Sequence, residues 1–236
     1  MKEKAYNFQE GEVLLIDKPY TWTSFDVVKK IRNNIKIKKV GHAGTLDPLA
    51  TGLLILCTGK MTKQIDNFQA QEKEYTGKMI IGKTTPSVDL ETEVDSEKDI
   101  SHLKVEDLQN QISQFQGVIQ QIPPIYSAVK VNGKRVYKHA RKGEVVEIDP
   151  REVNIKLFEL TDISLPEVSF RVICSKGTYI RSLVRDFGEA LGTGAYLSEL
   201  RRTRIGNFTI DQALNLEGFI QSIQSSKSTY ENIPQY

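Results

Sequence analysis

The chain has 236 residues, with 32 Lys and Arg against 30 Asp and Glu and only two cysteines. That length buries roughly 70–75% of the unfolded surface in a core without disulfides. Residues 1–10 lack the apolar stretch of a signal peptide and no apolar run approaches membrane-spanning length, which excludes a helical membrane protein and predicts cytoplasmic residence. Cys57 and Cys174 lie in separate apolar runs, and His42, His102 and His139 show no paired spacing, so buried free thiols and no metal are expected.

Residues 11–19, Gly-Glu-Val-Leu-Leu-Ile-Asp-Lys-Pro, read as a strand stopped by Pro19. Ser24 is the expected cap of a helix whose apolar face carries Phe25, Val28 and Ile31. This helix runs into residues 29–39, which hold six cations and no acid. Next comes Gly41-His42-Ala43-Gly44-Thr45-Leu46-Asp47-Pro48-Leu49-Ala50-Thr51-Gly52. Its glycines permit positive φ or close backbone approach, and Pro48 pushes Asp47 toward an extended conformation. The expectation is a stiff, exposed carboxylate on a loop braced by the apolar strand of residues 53–57, an arrangement in which scaffold fixes geometry and loop supplies access.

Residues 62–70 read as a short helix, and residues 74–82 alternate like a strand that Tyr75 opens. Residues 83–102 are acidic and polar, so they are expected to form an exposed excursion without chemistry, before a helix over 105–115. After Pro123-Pro124, residues 125–149 interleave tyrosines with cations, the composition of an arm that touches a partner. Residues 130–142 again carry six cations and no acid. Two such runs in a nearly neutral protein point to a polyanion, with phosphate backbone the natural candidate.

Strands are expected over 153–160 and 168–174. They precede a helix whose face is Ile180, Leu183, Val184, Phe187 and Leu191, closed by Gly192. Ser175-Lys176-Gly177-Thr178-Tyr179-Ile180-Arg181 joins the second strand to that helix and converges backbone N–H groups and cations at a helix N-terminus. Arg181 is expected to point outward there, as a candidate partner for Asp47. Beyond residue 216 the chain turns rich in Gln and Ser and is expected to fray after one helical turn. The pattern predicts an α+β protein on a mixed, largely antiparallel sheet flanked by helices. Residues 1–215 would be its catalytic domain, with an arm at about 122–152, and 216–236 a short tail.

Other chemistries find no support. Six residues separate Gly52 from Gly59 where a P-loop needs four, and no Gly-x-Ser-x-Gly elbow exists. A carboxylate phosphotransferase wants a second acid two residues after its nucleophile, where Leu49 stands.

The Asp47 loop, together with Lys73-Glu74-Tyr75, Pro124-Ile125-Tyr126-Ser127-Ala128-Val129-Lys130 and the Ser175 to Arg181 segment, strongly resembles the bacterial TruB family of tRNA pseudouridine synthases. The match runs in order from about residue 11 to about residue 215. It implies isomerisation of the uridine at position 55 of the tRNA T loop, on a flipped-out base, without a cofactor. On this resemblance Asp47 is the nucleophile or base, attack at uracil C6 and action at the ribose both being open. Tyr75 stacks on the base, and Arg181 pairs with the carboxylate. His42 fills the vacated place in the RNA, Lys18 and Tyr179 line the pocket, and Leu200 packs near the base. The arm grips the T-arm face through Lys130, Lys134, Arg135 and Lys138. The chain is expected to act as a monomer on tRNA and to be a short form without the C-terminal PUA domain of longer relatives. The competing expectation is a noncatalytic module that binds and folds tRNA with the same basic surface.

Overall fold

The computed structural model describes residues 6–127, 130–131, 134–135 and 148–231. In chain order the elements are β1 (Val13–Lys18), α1 (Ser24–Ile35), β2 (Val40–His42), β3 (Thr51–Thr58), α2 (Ile65–Ala70), β4 (Lys73–Ile81), β5 (Lys83–Thr84), β6 (Ser96–Glu97), α3 (Val105–Ile112), β7 (Gly117–Gln121), β8 (Lys130–Val131), β9 (Lys134–Arg135), β10 (Arg151–Ser164), β11 (Glu167–Cys174), α4 (Ile180–Ala190), β12 (Ala195–Ile205), β13 (Phe208–Thr209), β14 (Leu214–Asn215) and α5 (Leu216–Glu231). They divide into two compact units, residues 1–71 with 201–236, and residues 72–200. Among the described residues no helix is long and apolar enough to cross a membrane.

In the first unit β3 is the central strand. It runs antiparallel to β1 from Val13 opposite Cys57 to Lys18 opposite Gly52, while Arg201 and Arg202 of β12 pair with Thr51 and Gly52 in parallel. Leu54 and Leu56 face one core with α1 and α5. Leu53, Ile55 and Cys57 face another with Ala43 and Ile205. An unbroken apolar run is what a strand covered on both faces requires.

Helix α1 departs from expectation at its start. Thr23, not Ser24, is the N-cap, closing a capping box with Asp26, because Ser24 is drawn inward to the loop described below. Phe25 is 60% exposed, and the buried face is Val27, Val28, Ile31 and Ile35. The residues after 216 also differ from the expected fraying. They form α5, whose Leu216, Phe219, Ile220 and Ile223 recur at helical spacing and are buried in the α1 core. Four such side chains contribute about 1.5–3 kcal/mol each, which outweighs the polar composition around them.

The second unit is antiparallel through β4, β11, β10 and β7, with the first residues of β12 beside β4. Phe158 packs edge-on against Phe115, Phe170 and Phe187, which seats α4 on the sheet. The described architecture is thus the expected α+β arrangement. One expectation fails here: residues 83–102 are not simply an exposed excursion. Thr85, Ser87, Val88 and Asp89 are buried, and Val88 takes a left-handed φ of 60°, a strained conformation for a β-branched residue.

Candidate active site

The candidate residues divide between the units, Lys18, His42 and Asp47 in the first and Tyr75, Tyr179, Arg181 and Leu200 in the second. In the first unit the strand registers place Lys18, Gly52 and Arg202 side by side on β1, β3 and β12. The middle residue has to be glycine. Its φ is +104°, and a Cβ there would lie 2.3 Å from the Arg202 carbonyl oxygen. Gly52→Ala is therefore expected to cost about 3 kcal/mol or more through backbone strain and overpacking. Urea unfolding checks this, and a midpoint equal to wild type would show the contact to be soft.

Two buried cations flank that glycine, and each grips the loop by its backbone. Lys18 has no exposed surface, and its Nζ donates to the carbonyls of Pro19 at 3.0 Å, Pro48 at 3.1 Å and Trp22. Arg202, 1% exposed, donates from Nε to Leu53 at 2.8 Å and from its guanidinium to Gly44 at 3.2 Å. Gly44 carries the φ of +95° that aims its carbonyl there. Ser24 adds a third grip, its Oγ accepting from the Leu46 N–H at 2.9 Å and donating to the Leu46 carbonyl at 3.2 Å. Asp47 thus sits between clamps at 44, 46 and 48, with its own carbonyl accepting from the Ala50 N–H at 3.1 Å. Asp47 is half-buried rather than exposed, because Leu46 and Ala50 on either side are buried.

Burial pulls the Lys18 pKa from its ordinary 10.5 down to about 8, with Asp47 opposing the fall and Arg202 adding to it. Between about 8 and 10.5 the unfolded chain then binds the proton that the folded chain has lost, so this group makes stability rise with pH in that window. Activity should move the other way, since neutral Lys18 loses its charge beside Asp47 and part of its hold on Pro48. Turnover is expected to decline above about pH 8, and in Lys18→Arg the decline should shift upward because guanidinium keeps its proton. A pH–rate profile identical in both proteins would remove Lys18 from the titration.

His42, on β2 opposite Leu56, is half-buried, and its Nδ1 is buried with no hydrogen-bond partner among the described residues. Burial first and Arg202 second hold its pKa below the ordinary 6.5, against a raising contact with the Gly44 backbone. Both causes favour the neutral ring, which suits it to stacking.

In the second unit Arg181 does not point outward as expected. It is buried, donating to the carbonyls of Ser87 at 3.0 Å and Tyr126 at 2.8 Å, with the Asp89 carboxylate 3.6 Å away. Tyr179 precedes it, locked by Gln121, which accepts from its N–H at 2.7 Å and donates to its carbonyl at 3.0 Å. The guanidinium of Arg151 lies over its ring, 5.4 Å from the centroid. Tyr75, buried on β4, faces Val172 near the end of β11 that leads into this segment. Leu200 is buried on β12. Lys130, Lys134 and Arg135 are described only as backbone of the paired β8 and β9, and Lys138 lies outside the described residues.

Residues 32–180 match the TruB family pseudouridylate synthase model (N terminal domain), and residues 181–233 match the tRNA pseudouridylate synthase B C-terminal domain. The chain belongs to the TruB family. It is 52% identical to the tRNA pseudouridine synthase B of Flavobacterium johnsoniae over 92% of this chain and 98% of that one. The corresponding protein of Phocaeicola vulgatus is 53% identical over 90% and 93%. Among solved structures, a chain of a Cbf5-Nop10-Gar1 complex superposes with a TM-score of 0.73 at 31% identity. A chain of an H/ACA RNP bound to a substrate RNA containing 2'-deoxyuridine gives 0.70 at 28%. This TruB-family chain covers 96% and 97% of its own length in those comparisons but only 58% and 57% of the partners'.

Sequence reasoning missed Ser87, Asp89, Gln121 and Arg202 in this TruB-family chain, and read Ser24 as a helix cap rather than a grip on the Asp47 loop. For Arg202 a signal existed. Arg202 is two residues from the apolar Leu200 and so shares its face of β12, and burial alternates along 200–203, with Arg201 on the opposite face paired with Asp17 through two bonds of 3.1 and 2.7 Å.

Proposed function

We propose that the chain isomerises uridine 55 in the T loop of tRNA to pseudouridine, acting as a cytoplasmic monomer. The observation that carries this reading is the Asp47 loop, an intact family motif whose backbone is clamped by Lys18, Ser24 and Arg202. A nucleophile needs such a mount, since misplacement by an ångström costs about a hundredfold in rate.

The uridine is flipped out of the folded loop at a cost of a few kcal/mol, and the neutral His42 ring stacks in its place. Asp47 then acts on the nucleotide, the N1–C1′ bond breaks and the uracil turns within the pocket. A C5–C1′ bond forms, the C5 proton leaves to restore conjugation and N1, freed from C1′, takes up a proton, so atoms and charge balance without an external reagent. Tyr75 and Leu200 confine the ring, and the family resemblance makes Arg181 the cation that partners the Asp47 carboxylate. Lys130, Lys134, Arg135 and Lys138 of the arm take the phosphates of the T arm. Unmodified tRNA carrying tritium at uridine C5 should release label stoichiometrically. Tight tRNA binding with no release would favour the noncatalytic folding module.

A further inference from the structure

The first acid-free run of the chain has no part in the site above. Helix α1 turns Val27, Val28, Ile31 and Ile35 into its core, leaving Phe25, Lys29, Lys30 and Asn33 in solvent, with Lys36, Lys38 and Lys39 exposed past its last turn. Two open grooves follow this surface. One, of about 390 Å³, is lined by Thr21, Trp22, Asp26, Lys29, Lys30 and Asn33. The other, of about 370 Å³, shares Asn33 and adds Arg32, Lys36, Ile37 and Lys38. Asp26 is the acid in the first groove, and its carboxylate is committed to the capping box, accepting from the Thr23 N–H at 3.0 Å.

Among the described residues Lys30, Arg32, Lys36, Lys38 and Lys39 form no salt bridge, and Lys29 is near enough to Asp26 only to help lower that carboxyl's pKa. Compensation of the helix dipole accounts for Arg32 and Lys36 at the C-terminal end, but not for Lys29 and Lys30 in the middle or Lys38 and Lys39 beyond it. Rings accompany the cations, Phe25 at 60% and Tyr20 at 50% exposure. Phe25 is one helical turn before Lys29 and Trp22 lines the first groove, and cations interleaved with aromatic rings are the pattern of nucleic-acid binding. This surface is also tied to the Asp47 loop, because Ser24, the first residue of α1, holds both backbone polar atoms of Leu46. From that tie the helix leads away for about 18 Å, at 1.5 Å per residue, and the last cations lie beyond its end.

We propose that the outer face of α1 and the turn after it bind the phosphate backbone of tRNA outside the T arm, a second contact that holds the body of the tRNA while its T loop occupies the Asp47 site. The inference rests on the tRNA reading above. Binding of full-length unmodified tRNA and of an isolated T-arm hairpin is measured across a potassium chloride series for wild type, the Lys29→Ala/Lys30→Ala/Lys38→Ala triple variant, and a triple variant with Arg at the same positions. For the Ala variant the log–log salt slope with tRNA should fall by about 2, three lost phosphate contacts at roughly 0.7 each, with affinity at low salt reduced at least tenfold. Hairpin affinity and tritium release from the hairpin should match wild type, and the Arg variant should keep the tRNA slope. An unchanged tRNA slope, or equal weakening on hairpin and tRNA, overturns the proposal. Absence of tritium release by wild type from either RNA would instead overturn the catalytic reading.

Discussion

Asp47→Asn is expected to lose turnover by about 10,000-fold or more, the scale at which removal of a reacting group from an otherwise intact site registers, while folding and tRNA affinity stay near wild type. The reason lies in how the loop is held. Lys18, Ser24 and Arg202 grip the carbonyl or N–H groups of Gly44, Leu46 and Pro48, and none of these bonds uses the Asp47 carboxylate. An amide of the same shape therefore leaves these backbone grips in place while removing the negative charge and the nucleophilic oxygen. The charge has a second reader. Asp47 raises the Lys18 pKa against burial, so in Asp47→Asn that lysine should titrate below about 8, visible as a displaced alkaline step in stability. Tritium release, tRNA binding and urea unfolding with pH together check the set. Turnover within tenfold of wild type would take Asp47 out of the chemistry.

How much of this was legible depends on the range of the interaction. The loop itself was written in local spacing: glycines where the backbone needs positive φ or room, and proline after the carboxylate. The apolar run behind it announced a strand covered on both faces, as β3 is. What holds the loop was not local. Lys18, Gly52 and Arg202 meet through the registers of three strands, and composition carries no register. Asp89 was hidden for a related reason. Its neighbourhood is acidic and polar, which ordinarily means solvent, yet Arg181 from a helix far along the chain draws Ser87 and Asp89 inward. Helix α5 was readable in principle from Leu216, Phe219, Ile220 and Ile223, but the Gln- and Ser-rich residues among them outweighed four positions at helical spacing. Phe25 misled in the opposite sense, since an apolar residue on an amphipathic helix is usually inward and this one is 60% exposed.

Breaking the Arg181–Asp89 pair should separate what the arginine does for the fold from what it does for the reaction. Arg181→Met removes the donors to Ser87 and Tyr126 and leaves Asp89 charged and buried, so a loss of about 3–5 kcal/mol is expected. Asp89→Asn leaves both of those arginine bonds in place, and the Asp89 oxygen that accepts from the Glu91 N–H at 2.9 Å survives as the amide carbonyl. Its cost should be nearer 1–2 kcal/mol. In the double variant the stranded carboxylate is gone, and stability should recover relative to Arg181→Met by at least about 1 kcal/mol, the size of coupling expected between direct neighbours. Turnover should not recover with it. If the Arg181 charge serves the proposed reaction, its removal costs about 100- to 1000-fold in single-turnover rate, the scale of one preorganised electrostatic group, whether or not Asp89 is also replaced. Urea unfolding gives the stability cycle and tritium release the kinetic one. Rates that rise in step with stability in the double variant would make Arg181 a structural residue and leave the Asp47 carboxylate to be held by other charges.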